Sequence, residues 1–189
     1  MKYKQVILSA VVLFVAIQLP LVAAYAQSAS SVPKTLTGGD PKGTSSYELP
    51  YPGMLPDNPL YFLKVIRDNL TAFFISKPLA KATFDLLQSD KEVEASYLLV
   101  TREQGKGELA LKTFSQAENY FEDALKQTHS AKKQGYNIID ISKQLQEAQQ
   151  KHVQMLQSVG KQSHQENTQL YKNDLRQAEK QAQMVKALE

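Results

Sequence analysis

The chain has no cysteine among its 189 residues, and that absence excludes disulfides, thiolate nucleophiles and every cysteine-based zinc or iron–sulfur site. It also lacks the local signatures of catalysis. There is no His-Glu-x-x-His, no Gly-x-Ser-x-Gly and no glycine loop of the kind that cradles phosphate. Its three histidines, His129, His152 and His164, are far apart in sequence. No catalytic residue, cofactor site or metal site is therefore assigned, and the chain is not read as an enzyme.

Charge of one sign is scarce as well. The formal net charge is +3, and without Lys2 and Lys4 it falls to +1, with 20 basic residues against 19 acidic ones. Lysines alternate with glutamates and aspartates, so no basic stripe tracks a phosphate backbone and nucleic acid is excluded as a partner. Beyond the N-terminus no stretch is long and apolar enough to cross a bilayer.

The N-terminus itself reads as an address. Lys2 and Lys4 precede an apolar run from Val6 to Ile17, and Ala24, Tyr25 and Ala26 then offer small residues at a cleavage site ahead of Gln27. This is the order of a signal peptide over residues 1–26, and it places the chain outside the cytoplasm as a secreted, periplasmic or cell-surface protein. The alternative is a retained membrane anchor, which requires Gln18 and Pro20 to be tolerated in the span. A membrane is a partner only in that case.

Residues 27–46 are rich in Ser, Thr, Gly and Pro and carry too little apolar surface to offset the cost of ordering, so they read as a flexible linker. Leu49-Pro-Tyr-Pro-Gly-Met-Leu-Pro56 differs, because apolar side chains between prolines make an extended strap able to pack on a folded domain. From there to Glu189 the pattern is helical. Asn58 and Pro59 form an N-cap and first-turn signal, and Leu60, Leu63, Ile66, Leu70 and Phe73 or Phe74 give helix one a continuous apolar face to about Ile75.

Ser76-Lys77-Pro78 opens helix two, which Gly105-Lys106-Gly107 stops. Helix three carries Leu109 to Thr128 and ends at Lys132, Lys133 and Gly135. Asp140 caps helix four, which Gly160 ends. Ser163 to Glu166 matches a capping box opening helix five, with Leu170, Leu175, Ala178, Ala182, Val185 and Leu188 on its narrower stripe. The expected fold is all-α: an elongated antiparallel up-and-down bundle of about five helices, with coiled-coil-like packing, over residues 47–189.

Leu49 to Asp68, with its Leu-Pro-x-x-Pro-Leu-Tyr-x-Leu-Lys pattern, resembles the opening motif of the bacterial domain of unknown function 5667. Lys81-Ala-Thr-Phe-Asp85, Ala117 to Ala124, and Lys151 with His152 are also similar to that family. The resemblance implies export and helicity and transfers no active site. Physically, in the motif Pro56, Asn58, Pro59, Leu60, Tyr61, Leu63 and Lys64, the prolines and Asn58 fix the approach to helix one, and Leu60, Tyr61 and Leu63 staple the strap to the bundle. Alternatively Tyr51, Tyr61 and Phe62 form an aromatic docking surface.

The remaining polar residues have bland readings. His152 lies on the apolar stripe of helix four as a hydrogen-bonded core histidine, and its spacing to Met155 is only a weak suggestion of a soft metal. Glu92 with Glu94, and Glu122 with Asp123, read as solvated helix-surface charge. His164 falls in the first turn of helix five. The function expected is a non-enzymatic extracytoplasmic interaction module whose partner is another envelope protein. The alternative is an envelope stress-type chaperone or a metal-responsive helical bundle. A homo-oligomer is compatible with the sparse stripe of helix five.

Overall fold

The structure, a computed structural model, describes residues 47–102 and 105–188. The cleavage site at Ala24, Ala26 and Gln27 and the linker at 27–46 lie outside the described residues. The described residues form one compact unit. Its five helices are α1 (Tyr61–Phe74), α2 (Pro78–Arg102), α3 (Gly107–Lys133), α4 (Ile139–Ser163) and α5 (Gln169–Lys186), and no strand occurs among the described residues.

Four of the five helices make the bundle. α2 packs on α3 and α4, α5 packs on α4 and α3, α3 also reaches α4, and α2 and α5 do not meet. The side-chain pairs give directions. Ser89 and Ser96 of α2 meet Ala117 and Ala110 of α3, so those helices run antiparallel. Ser115 and Gln181 link α3 to α5 at rising positions in both, so these two run parallel. The bundle is thus two antiparallel hairpins, α2–α3 and α4–α5, laid against each other.

The tightest seam is α2 against α3, and its cause is a repeat of small residues. Ala82, Ser89 and Ser96 on α2 face Ala124, Ala117 and Ala110 on α3, each set spaced by seven residues and each residue wholly buried. A seven-residue period keeps one stripe facing its partner along a shallow left-handed supercoil. Small side chains bring the backbones close enough for Ser89 Oγ to donate to the Ala117 carbonyl at 2.8 Å and Ser96 Oγ to the Ala110 carbonyl at 2.8 Å.

Two apolar clusters fill the interior. One centres on Phe121, Leu125, Leu145 and Val185, the other on Phe114, Leu99, Leu156 and Tyr171. The strap at 47–56 lies along the bundle, Tyr47 packing against the first cluster and Leu49 against the second. Asp57 pairs with Lys106 at 2.6 Å and ties the end of the strap to the α2–α3 turn.

Several helix ends differ from the sequence reading. α1 starts at Tyr61, not Pro59, because the Asn58 side chain accepts from the Leu60 amide at 2.9 Å and makes a turn before the helix. Asn137 does the same for the Ile139 amide at 3.0 Å, which leaves Asp140 inside the first turn of α4 with no capping bond. α4 runs through Gly160 to Ser163, and His164 ends it in the left-handed region at φ 56°. The capping box does not form: Thr168 caps α5, its Oγ accepting from the Tyr171 amide at 3.3 Å.

Gly160 is needed for contact, not for a stop. A Cβ there would lie 2.4 Å from Cε2 of Tyr171, so the bare backbone is the floor on which that ring sits. α3 ends as expected, with Lys132 and Lys133 in its last turn and Gly135 beyond at φ 80°.

Candidate functional site

The largest departure from expectation is α1. Its backbone approaches no bundle helix except α2, with Tyr120 of α3 reaching the same seam, and it is attached by its polar side. Glu92 of α2, buried, accepts from the Tyr61 hydroxyl at 2.9 and 2.8 Å and from Lys64 Nζ at 2.5 Å. Lys64 also lies 3.4 Å from Asp68, whose carboxylate receives Arg67 at 2.7 Å. Ions are costly to bury unless paired and hydrogen-bonded, and this seam meets both conditions.

Electrostatics at the seam follow from that burial. Desolvation first, and then the Glu92 carboxylate, hold the Tyr61 hydroxyl protonated far above the usual tyrosine range. Lys91 is pulled below its ordinary value by burial, with Lys64 and Arg67 adding like-charge repulsion. Lys64 Nζ also sits 5.1 Å from the Tyr61 ring centroid, a cation over an aromatic face.

Holding the helix by its polar side turns the apolar side outward. Phe62, Leu63, Ile66 and Leu70 each expose more than half of their surface, and Phe73 and Phe74 expose 81% and 78%. At about 100° per residue these six side chains fill an arc of about 120° centred opposite Asp68. The three phenylalanines alone, at about 200 Å² each, place about 400 Å² of ring surface in solvent. The aliphatic members take the patch past the roughly 300–600 Å² usual for the largest patch on a monomer.

The opening motif is therefore split. Tyr61 and Lys64 are the clamp, and Leu60 and Leu63 are exposed and staple nothing, which corrects the expectation that both pack on the bundle. Pro56, Asn58 and Pro59 shape the approach to α1. Of the proposed aromatic trio, Tyr51 and Phe62 are exposed while Tyr61 turns inward. Glu92 is not solvated surface charge. It is nearly fully buried, while Glu94 is half-buried with its carboxyl raised by desolvation.

A second polar feature divides the two apolar clusters. His152 Nε2 lies 2.8 Å from Asp90, and the other oxygen of Asp90 accepts from the Tyr47 hydroxyl at 2.6 Å. His152 Nδ1 faces Glu118 at 3.9 Å, and the Phe121 ring meets the imidazole edge-on at 5.2 Å between centroids. Gln181 Nε2 donates to the Glu118 main-chain carbonyl at 2.9 Å, and Ser115 donates to Asp174 at 2.7 Å. The layer thus takes one member or more from the strap and from each of the four bundle helices.

Burial pushes the Glu118 carboxyl up to about 7, the nearby Asp174 adding to the rise while His152 and Gln181 oppose it. Burial likewise raises Asp174 to about 6 against the Ser115 hydrogen bond, and Asp85 to about 6 against Lys81. Neither oxygen of Glu118 and no lone pair of His152 Nδ1 finds a hydrogen-bond partner among the described residues. A neutral, protonated Glu118 is the form that suits such a site.

His152 lies between Asp90 and Glu118, and all three are sealed inside the bundle. The surface cleft of about 390 Å³ between α3 and α5 is lined by Glu122, Asn173, Arg176, Gln177 and Lys180 and includes none of them. Among the described residues no three His, Asp or Glu side chains converge as a metal would require. Met155 packs in the second apolar cluster while His152 is bonded to Asp90. His129 is half-buried on α3 and His164 ends α4 instead of opening α5.

No family model, curated protein or solved structure matches this chain. Geometry alone carries the functional reading.

Proposed function

We propose that this chain is a non-enzymatic, exported interaction module whose working surface is the outward apolar face of α1. The observation that carries this is the inverted mounting of α1: the buried Lys64–Glu92 pair and the Tyr61 hydroxyl fix the polar side of an amphipathic helix to the bundle, and the apolar side is left in water. Isolated exposed apolar residues are ordinary, but a contiguous stripe of six on one helix is a liability unless something covers it. The N-terminal sequence supplies the export signal, and the linker at 27–46 supplies reach.

The test is a photo-crosslinking amino acid in place of Phe73 in the full chain, expressed in its native host. A covalent adduct to protein or lipid that disappears when Ile66→Glu is added supports the reading. A folded chain that forms no stripe-dependent adduct overturns it. A chaperone that holds unfolded clients is the second reading, supported by the same stripe, and it is distinguished by suppression of client aggregation at substoichiometric ratio.

A further inference from the structure

Resting on that reading of α1, we propose that the stripe is an in-plane membrane-surface helix, and that its occupant is the headgroup and acyl boundary of an anionic lipid bilayer. Three observations select lipid. First, α1 stands on a ridge. Its backbone approaches α2 alone, Tyr120 of α3 reaches its polar side near Tyr61, Lys64 and Asp68, and the stripe points away from that support. A protein partner reads an apolar helix best in a groove it provides, whereas a protruding row of Phe, Leu and Ile enters a fluid boundary without a matched surface.

Second, α1 has 14 residues and spans about 21 Å, short of the about 30 Å hydrocarbon core. It can lie in the interface and cannot cross it. Third, the rim of the stripe is cationic or neutral. Arg67 and Lys77 are exposed, while Asp68, the one carboxylate on α1, is buried under Lys64 and Arg67. At the seam Lys64, Arg67 and Lys91 outnumber Asp68 and Glu92, a balance that draws the face toward anionic headgroups.

A second copy is the main competitor, and charge disfavours it. In an antiparallel twofold pairing of α1 the midpoint faces itself, so each Arg67 meets its copy with no exposed carboxylate on the helix to separate them.

The absence of native cysteine allows a single-site probe in the full chain. A nitrobenzoxadiazole label is placed at Phe73→Cys and, as a control, at Glu179→Cys on α5, which meets neither α1 nor α2. Each is titrated with vesicles of phosphatidylcholine containing a minority of phosphatidylglycerol. Both proteins carry the same N-terminal run, so a difference between them reports the stripe.

The expected result is a blue shift and quenching by acyl-brominated lipid at position 73 and neither at 179. Ile66→Glu with Leu70→Glu should lower the partition coefficient at least about tenfold, and Arg67→Gln should lower the preference for anionic vesicles about fivefold. A cooperative far-UV melt of each variant confirms folding. If position 73 stays unquenched while stripe-dependent protein adducts form in the host, the lipid inference is overturned and the interaction module stands. If it stays unquenched and labelled chains self-associate through the stripe, the occupant is a second copy and the lipid inference is again overturned. With neither adduct nor quenching, both readings fall.

Discussion

Glu92 grips Tyr61 with both carboxylate oxygens, at 2.9 and 2.8 Å, and the same oxygen that is 2.9 Å from Tyr61 takes Lys64 at 2.5 Å. One buried carboxylate of α2 thus holds two consecutive turns of α1. Removing it strands Lys64 without its closest partner in a site where its side chain is 8% exposed. Breaking a buried pair from one side typically costs about 3–5 kcal/mol, but α1 can avoid that cost by lifting away. Glu92→Ala should therefore abolish hydrogen-exchange protection in Tyr61–Phe74 while α2 to α5 keep theirs and the main thermal transition moves only a few degrees. A matching loss of protection throughout the bundle would refute the clamp.

Glu118 gives a pH dependence with a definite sign. Its folded carboxyl titrates near 7, above the unfolded value of 4.5, so the folded state holds the proton more tightly. Its contribution is fully present below about pH 4.5 and is lost as pH rises through about 7. Asp174 and Asp85, raised to about 6, act in the same direction. Unfolding free energy should fall on the order of 1–3 kcal/mol from pH 5 to pH 8. Glu118→Gln, which keeps the neutral shape, should flatten most of that slope in denaturant melts taken across the range.

Gly160→Ala separates two opposed effects. Alanine favours a helix interior by about 1 kcal/mol over glycine, yet its Cβ would sit 2.4 Å from the Tyr171 ring. Overpacking a fitted core costs about 1–3 kcal/mol, and the ring is held between α4 and α5, so the clash should win and the variant should lose about 1–2 kcal/mol. In the background of Tyr171→Leu the same change should be neutral or stabilising. A double-mutant cycle by urea titration reads the coupling.

Tyr47→Phe removes the hydroxyl that donates to Asp90 and leaves that oxygen with one partner fewer. The expected loss is about 1–2 kcal/mol, with the strap at 47–56 gaining susceptibility to proteolysis. His152→Phe at the other end of the same network would strand Asp90 more completely, and it should cost more than Tyr47→Phe in the same assay.

The helices and their order were legible because long stretches repeat apolar residues at three- and four-residue spacing. Boundaries were less so. At Asn58 and Asn137 the side chain makes a local turn instead of a cap, and at Gly160 the glycine serves a neighbour's ring, a tertiary cause that no local rule contains. The orientation of α1 was hidden for the same reason. Leu63, Ile66 and Leu70 mark an apolar face, but which face meets the bundle depends on Glu92, 28 residues beyond Lys64. The buried polar residues of α2 left a readable trace. Asp85, Ser89, Glu92 and Ser96 recur at three- and four-residue spacing alongside Ala82, Leu86 and Val93, so polar groups on a buried stripe signalled pairing across the interior.

The small-residue seam between α2 and α3 has a further consequence for how the chain tolerates change in length. Alanine and serine every seven residues make a ruler with equal divisions, so sliding one helix by a heptad brings small residues back into opposition. Asp90, Glu118 and His152 occur once each and mark a single position along that ruler. Close contact restricts the hairpin to a few discrete alignments, and the buried polar groups select one. Insertions within α2 or α3 are then quantised: a length that is not a multiple of seven breaks the seam, and even seven displaces the layer.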